Sequence, residues 1–314
     1  MSNKNKLVVL AVVSLLLAGA FIFIDLGNNW DYALPRRLKK VYAIILTGGV
    51  IAYATIIFQT ITNNRILTPS IIGLDSLYLL IQTFLIFVFG SMSFTIANEN
   101  INFLISVGLM VVFAGLLYKL LFRGNGQNIY FLLLVGIIFG TFFRSITEFM
   151  QVLIDPNEFM VVQDRMFASF NNVKTDLLVI ATIAVILVTL YSLRFIKYLD
   201  VLSLGKDQAV NLGIDYDYVV KRLLIVIAIF VSISTALVGP ITFLGLLVVN
   251  VAYQFLNTYK HSYLIIGSVF ISIIALIGGQ LIVERVFTFN TTLSVIVNFI
   301  GGVYFIYLLL KESK

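Results

Sequence analysis

Cysteine is absent from this 314-residue chain, and histidine occurs once, as His261. Disulfides, redox pairs and thiolate metal sites are therefore excluded, and a histidine-built metal centre has almost no material. Charge is scarce as well: Asp, Glu, Lys and Arg make up 11% of the residues, against 60% hydrophobic. Period-two alternation is missing too. The stretches 177–190 and 223–237 are apolar on every face, whereas a membrane β-barrel needs alternating strands. A membrane-embedded enzyme would want a histidine cluster, a cysteine or paired acids in mid-span, and the chain offers none of these.

What the chain has is a series of apolar runs, each long enough for a helix to cross a hydrocarbon core of about 30 Å. Without water to satisfy backbone groups, such runs must be helical. The expected fold class is all-α, a single polytopic membrane domain over 1–314 with about ten spans: 7–26, 41–61, 71–90, 101–121, 129–149, 176–195, 223–238, 241–256, 263–283 and 293–310. Lys4, Lys6 and the small residues Ala18, Gly19 and Ala20 have the look of a secretory signal. The run continues through Phe21 to Ile24, so a retained first span is expected. An even count puts both termini on one side. With that side cytoplasmic, eight of the 21 basic residues fall outside: Arg36, Arg37, Lys39, Lys40, Arg144, Arg165, Lys174 and Arg285. Half of these exceptions lie in one knot at 36–40, which calls for a local reason.

Two loops have size, an outer one over 150–175 and an inner one over 196–222. Within the inner loop, Leu202, Leu204, Gly205, Lys206, Ala209, Leu212 and Gly213 read as a two-turn helix outside the membrane. Ser203 is expected to cap its start, Asp207 to suit the first turn, and Gly213 to take the left-handed position after the end. Gly205 and Ala209, four apart, leave one face nearly bare. That face suits either close docking of another surface or rest on lipid headgroups. On the outer side, Arg36, Arg37 and Arg285 suit bidentate pairing with carboxylates of a partner, or anchoring at the interface.

Polar residues within apolar spans face the bundle or a water path. Gln59, Asp75, Gln82, Asn250, Gln254, Gln280 and Asn298 are of this kind. Arg144 and Glu148, four apart, are placed to pair with each other. Asp75 is expected at a helix start near the inner interface. The glycine pairs at 48–49, 278–279 and 301–302 are expected to allow close helix packing. Gly205-Lys206 is followed by Asp207, with no glycine at position 200, so there is no phosphate loop.

Two strings are more specific. The first carries Gln59, Asn64, Pro69 and Gly73; the second carries Gly239, Ile241, Phe243, Gly245 and Leu246. With Leu204, Gly205, Ala209, Leu212 and Gly213 between them, the chain resembles, over nearly its whole length, the permease family of ABC importers for iron–siderophore complexes, haem and cobalamin. It departs from that pattern at Arg65, where a proline is usual, at Val249 and Asn250, and at Thr292 to Ser294. These departures resemble a branch whose members pair with a second, different permease.

The resemblance implies an ATP-driven importer subunit for ferric siderophores in the cytoplasmic membrane of a bacterium, with no cofactor in this chain. ATP and Mg would sit on two partner ATPase subunits. Further partners would be a second homologous permease, an extracytoplasmic siderophore-binding protein docked at Arg36, Arg37 and Arg285, and membrane lipid, with no nucleic acid. The helix at Leu202 to Gly213 would dock in the ATPase. Gln59, Asn64, Pro69 and Asn250 would belong to the path or gate, as would Gly124, Asn125 and Gly126 in the 123–128 segment. The rival is a secondary transporter driven by protons or sodium, which would want mid-membrane carboxylates at a repeat interface.

Overall fold

The computed structural model describes residues 2–24, 30–93, 98–121, 129–171, 173–289 and 291–312. Among them every regular element is helical. The helices are α1 (Asn3–Phe23), α2 (Trp30–Thr62), α3 (Leu74–Phe89), α4 (Glu99–Leu121), α5 (Ile129–Leu153), α6 (Pro156–Met166), α7 (Thr175–Leu202), α8 (Lys206–Asn211), α9 (Tyr216–Val238), α10 (Leu244–Leu256), α11 (His261–Arg285) and α12 (Leu293–Glu312), with a 3-10 turn at Pro69–Ile72. Eight of these are long and apolar enough to cross a membrane, and α3 and α10 are shorter apolar helices.

Two helices form the axis. α2 and α9 are buried along most of their length. α2 packs on α11, α9, α10, α7 and α1, while α9 also holds α4 and α3. Small residues set these approaches, as expected where lipid removes the hydrophobic drive between helices. In each glycine pair one member is tightly packed. A methyl group on Gly48 would meet Ser272 Oγ at 2.6 Å, and one on Gly279 would meet Leu293 at 2.5 Å. Gly301 packs as closely against Phe243, whereas Gly278 and Gly302 have open space.

The polar side chains within the spans are mostly paired. Gln82 of α3 donates to Asn102 Oδ1 at 3.0 Å and Ser106 Oγ at 2.8 Å on α4. Gln254 donates to Tyr304 at 2.9 Å, and the Phe243 amide donates to Asn298 at 3.4 Å. Arg144 and Glu148 pair at 2.8 Å, as their spacing predicts.

α2 begins at Trp30, well before the residue-41 boundary that hydropathy gives. It runs through Pro35, the sixth residue of the helix, whose ring removes the amide bond to the Asp31 carbonyl. α3 and α10 differ from expectation in the other sense. Their 16 and 13 residues rise only about 24 and 20 Å at 1.5 Å per residue, short of the membrane core. Each starts within the bundle after a stretch outside the α-helices, 63–73 (which holds the 3-10 turn) before α3 and 239–243 before α10.

Candidate translocation and docking sites

The two stretches that precede α3 and α10 meet. Thr68, Pro69, Ser70 and Asp75 share a cavity of about 20 Å³ with Ile51 and Thr55 of α2, Ser234 and Thr235 of α9, and Ile241, Thr242 and Gly245. Gly73 lets the first stretch lie directly against α5. Its φ is +85°, and a side chain there would meet the Gly140 backbone of α5 at 2.9 Å. Asp75 does lie in the first turn of α3, but the placement near the inner interface is corrected. It accepts a hydrogen bond from Thr235 at 3.1 Å and sits beside Ile51 and Thr55 of α2, about two to three turns inside that helix's Thr62 end. The apolar run from 71 hides this from hydropathy, because the chain enters the bundle before its helix begins.

Irregular backbone inside a membrane bundle must find partners, and Gln59, Asn64 and Asn250 supply them. Gln59 Nε2 donates to the Arg65 carbonyl at 2.6 Å, and Asn250 Nδ2 donates to the same oxygen at 2.9 Å. Asn64 Oδ1 accepts from the Ile66 amide at 2.8 Å. Three residues expected at the path or gate therefore converge on one stretch of chain, and Pro69 lies on its far side. Gly124, Asn125 and Gly126, with the rest of 123–128, lie outside the described residues.

Beside this stretch is a polar recess of about 580 Å³ lined by Gln59, Thr60, Asn63, Asn64, Arg65, Ser203, Tyr253 and His261, among others. Arg65 stacks on Tyr253 at 4.6 Å. His261 is buried and ties three helices: its Nδ1 lies 2.6 Å from Asp200 Oδ1 of α7, and its Nε2 lies 2.8 Å from Thr60 Oγ1 of α2. The Asp200 carboxylate also accepts from the His261 amide at 2.9 Å. Sequence reasoning set this histidine aside. Its partners lie 61 and 201 residues away, so no local pattern marks them.

The turn that leads into α8 borders the same recess through Ser203. The end of that helix follows expectation: Gly213 has φ +82°, its amide bonds Val210 O at 2.9 Å, and the Ile214 amide bonds Ala209 O at 3.1 Å. This is the paired-bond helix ending that favours glycine. Its start does not follow expectation. α7 continues through Leu202, and Ser203 closes that helix, donating to Asp200 O at 2.7 Å. Gly205 takes the cap position of α8 with φ +100°. The bare face is also corrected. Ala209 is fully buried against the bundle, while Leu204, Val210 and Leu212 are 57%, 50% and 62% exposed. Docking there would be apolar, through Leu204 and Leu212 with Lys206 beside them.

The opposite end carries the basic knot, and the structure gives its reason. Arg37 Nη1 donates to Phe21 O, Ile22 O and Ile24 O at 2.5–3.2 Å, closing the end of α1. Arg285 donates to Ile24 O at 3.1 Å. Lys40 pairs with Glu284 at 2.7 Å, the two side chains being 15% and 13% exposed. Arg36 stacks on Tyr32 at 4.5 Å. Arg37 and Arg285, far apart in sequence, thus meet on one carbonyl, with Arg36 one residue before Arg37 and turned onto Tyr32. Arg36, Lys39, Lys40 and Lys174 line a recess of about 880 Å³ with Glu99 and Asp176. On α5, Thr141, Arg144, Ser145 and Glu148 form an exposed polar stripe at helical spacing. A charged pair facing lipid would be costly.

The model of the FecCD transport family matches residues 4–311. The chain is 68% identical over 314 residues to the petrobactin import system permease protein YclO of Bacillus subtilis, covering 100% of this chain and 99% of that protein. It is 38% identical over 279 residues to the petrobactin import system permease protein FatC of Bacillus anthracis, covering 89% and 79%. A second petrobactin permease from each organism also matches, YclN at 26% and FatD at 24% identity. The fold is similar, with TM-score 0.84, 19% identity and coverage of 99% and 100%, to a solved chain described as a metal-chelate type ABC transporter in an inward-facing conformation. The chain belongs to the FecCD transport family and is a multi-pass membrane protein.

Proposed function

We propose that this chain is a permease subunit of an ATP-driven importer for a ferric siderophore of the petrobactin class. The observation that carries the reading is the end-to-end 68% identity with a petrobactin import permease. The chain crosses the cytoplasmic membrane ten times, counting α3 and α10, and both termini are cytoplasmic. It forms the path with a second, non-identical permease, and the two-permease pattern in both Bacillus species supports this.

α8 is the foothold for an ATPase. Movement of α8 reaches the transport path by two tethers. One runs from Asp200 through His261 to Thr60; the other runs from the Gly205 turn past Asn63 to the Gln59 and Asn250 amides. ATP must favour one arrangement of these tethers over the other for hydrolysis to drive transport. α2, α5 and the 150–175 segment border the path, with the α5 polar stripe facing it. A loaded binding protein docks over Arg36, Arg37 and Arg285.

The test is uptake of iron-loaded petrobactin by vesicles holding this chain, the second permease, an ATPase and a binding protein. Uptake is expected to require enclosed ATP. Accumulation driven by a pH gradient in the absence of the ATPase would sink the reading.

A further inference from the structure

The cytoplasm-facing ends of α7 and α9 carry a surface that the transport reading leaves unused. Tyr191, Phe195 and Tyr198 of α7 form a chain of ring contacts at 5.6 and 6.5 Å, and Tyr218 of α9 joins Phe195 at 6.3 Å. Three cations lie against these rings. Arg194 stacks on Tyr191 at 3.7 Å, Lys197 lies 4.9 Å from Tyr198, and Arg222 lies 5.3 Å from Tyr218. All three are exposed, and none forms an ion pair among the described residues. Three nearby acids are engaged elsewhere: Asp200 with His261, Asp215 with the Tyr218 amide, and Asp217 with Lys206.

Apolar surface leads directly to these cations. Ile183, Leu187 and Leu190 are exposed and share one face of α7 with Arg194 and Lys197 at helical spacing. An apolar stripe that ends in two cations, with a third on the neighbouring α9, has the form of a site for an amphiphile with an anionic head.

We propose that this surface binds an anionic phospholipid of the cytoplasmic leaflet, its acyl chain along Ile183 to Leu190 and its phosphate among Arg194, Lys197 and Arg222. Guanidinium groups suit phosphate oxygens bidentately. Stacking on rings fixes their planes and leaves N–H donors outward. Aromatic residues favour the headgroup level, and cations there attract anionic lipid. The second permease is the poorer occupant, because a protein interface would bury three cations without counter-charges. α7 runs into the ATPase foothold through Ser203 and Gly205, so a lipid held here would steady the base of α8.

The test uses the full-length chain co-purified with its partner permease in detergent and stripped of lipid. Phosphatidylglycerol and phosphatidylcholine are titrated in, and bound lipid is counted by native mass spectrometry. The wild type is expected to prefer phosphatidylglycerol, and R194Q/K197Q/R222Q to lose at least about tenfold of that preference. Thermal unfolding in lipid-free detergent should match between the two. If the triple variant does not fold, Arg194→Gln alone is measured, with an expected loss of roughly fivefold. Equal preference in wild type and variant overturns the proposal. So does displacement of phosphatidylglycerol by millimolar inorganic phosphate, which would make the site one for a free anion. Loss of the partner permease from the variant would make it a protein interface, and that result overturns the proposal too.

Discussion

The two ends of the bundle solve the same problem in opposite ways. At the α8 end, Asp200, His261, Thr60, Gln59 and Asn250 hold backbone and helices together beneath the surface of α8, while the exposed cations Arg194, Lys197 and Arg222 stand to one side on α7 and α9. Leu204, Val210 and Leu212 are left exposed to water. At the Arg36 end, charge is on the surface or just beneath it, and Arg37, Arg285, Lys40 and Glu284 fasten α1 to α2 and α11. An end that exposes leucines suits a lasting contact whose strength comes from burial. An end that exposes cations suits an encounter that is steered and then released.

That contrast is open to attack by mutation. Replacing Leu204 and Leu212 together by Asp should weaken ATPase association most. Two lost anchors of about 2 kcal/mol each amount to roughly a thousandfold in affinity, read by co-purification and by titration of the ATPase. Retained association would show that α8 is not the foothold. Gly205 is a poorer probe, because its φ of +100° strains any side chain irrespective of a partner.

A smaller effect is expected inside the α8 end. Gln59→Ala with Asn250→Ala leaves the Arg65 carbonyl without its two amide donors. The expected cost is about 1–3 kcal/mol of stability, with uptake falling further than ATPase binding does. If uptake and thermal midpoint both stay at wild-type values, the 63–73 stretch is not held by these amides.

At the other end, Arg36→Glu should slow binding-protein association several-fold at low salt, and the difference should shrink as salt screens the charge. Arg37→Glu should do more, because it also frays the end of α1 and lowers the thermal midpoint. Equal behaviour of the two variants would erase the distinction between a steering and a fastening arginine. The smallest effect is expected at Glu148→Gln on α5. Its exposed pair with Arg144, 59% and 74% accessible, contributes under about 1 kcal/mol. Stability should hardly change, while uptake of an anionic chelate should.

Much of this architecture could be read from the chain. Unbroken apolar runs marked the long helices, because hydropathy reports directly on what lipid demands. Local chemistry also read well: Gly213 ends α8, and Arg144 and Glu148 find each other at four-residue spacing. What escaped were features set by distant partners. Nothing near His261 announces Asp200, and nothing near Arg37 announces the α1 carbonyls. Hydropathy also cannot distinguish an apolar helix from an apolar segment that enters the bundle before coiling, so α3 and α10 read as ordinary spans. Ser203 misled because a serine closes a helix by bonding back as readily as it opens one.

The interior starts of α3 and α10 have a mechanical consequence. A continuous helix resists bending because its ladder of amide bonds must stretch or break. Here the ladder is already interrupted at Gly73 and Gly239, both with positive φ, beside the cavity that the two irregular segments share and next to the Asp75–Thr235 bond between α3 and α9. Rotation about a few backbone torsions at those joints can tilt the half-helices as rigid rods, with every bond inside them intact. The bundle therefore has its articulation within its own thickness, well away from the loops at either surface.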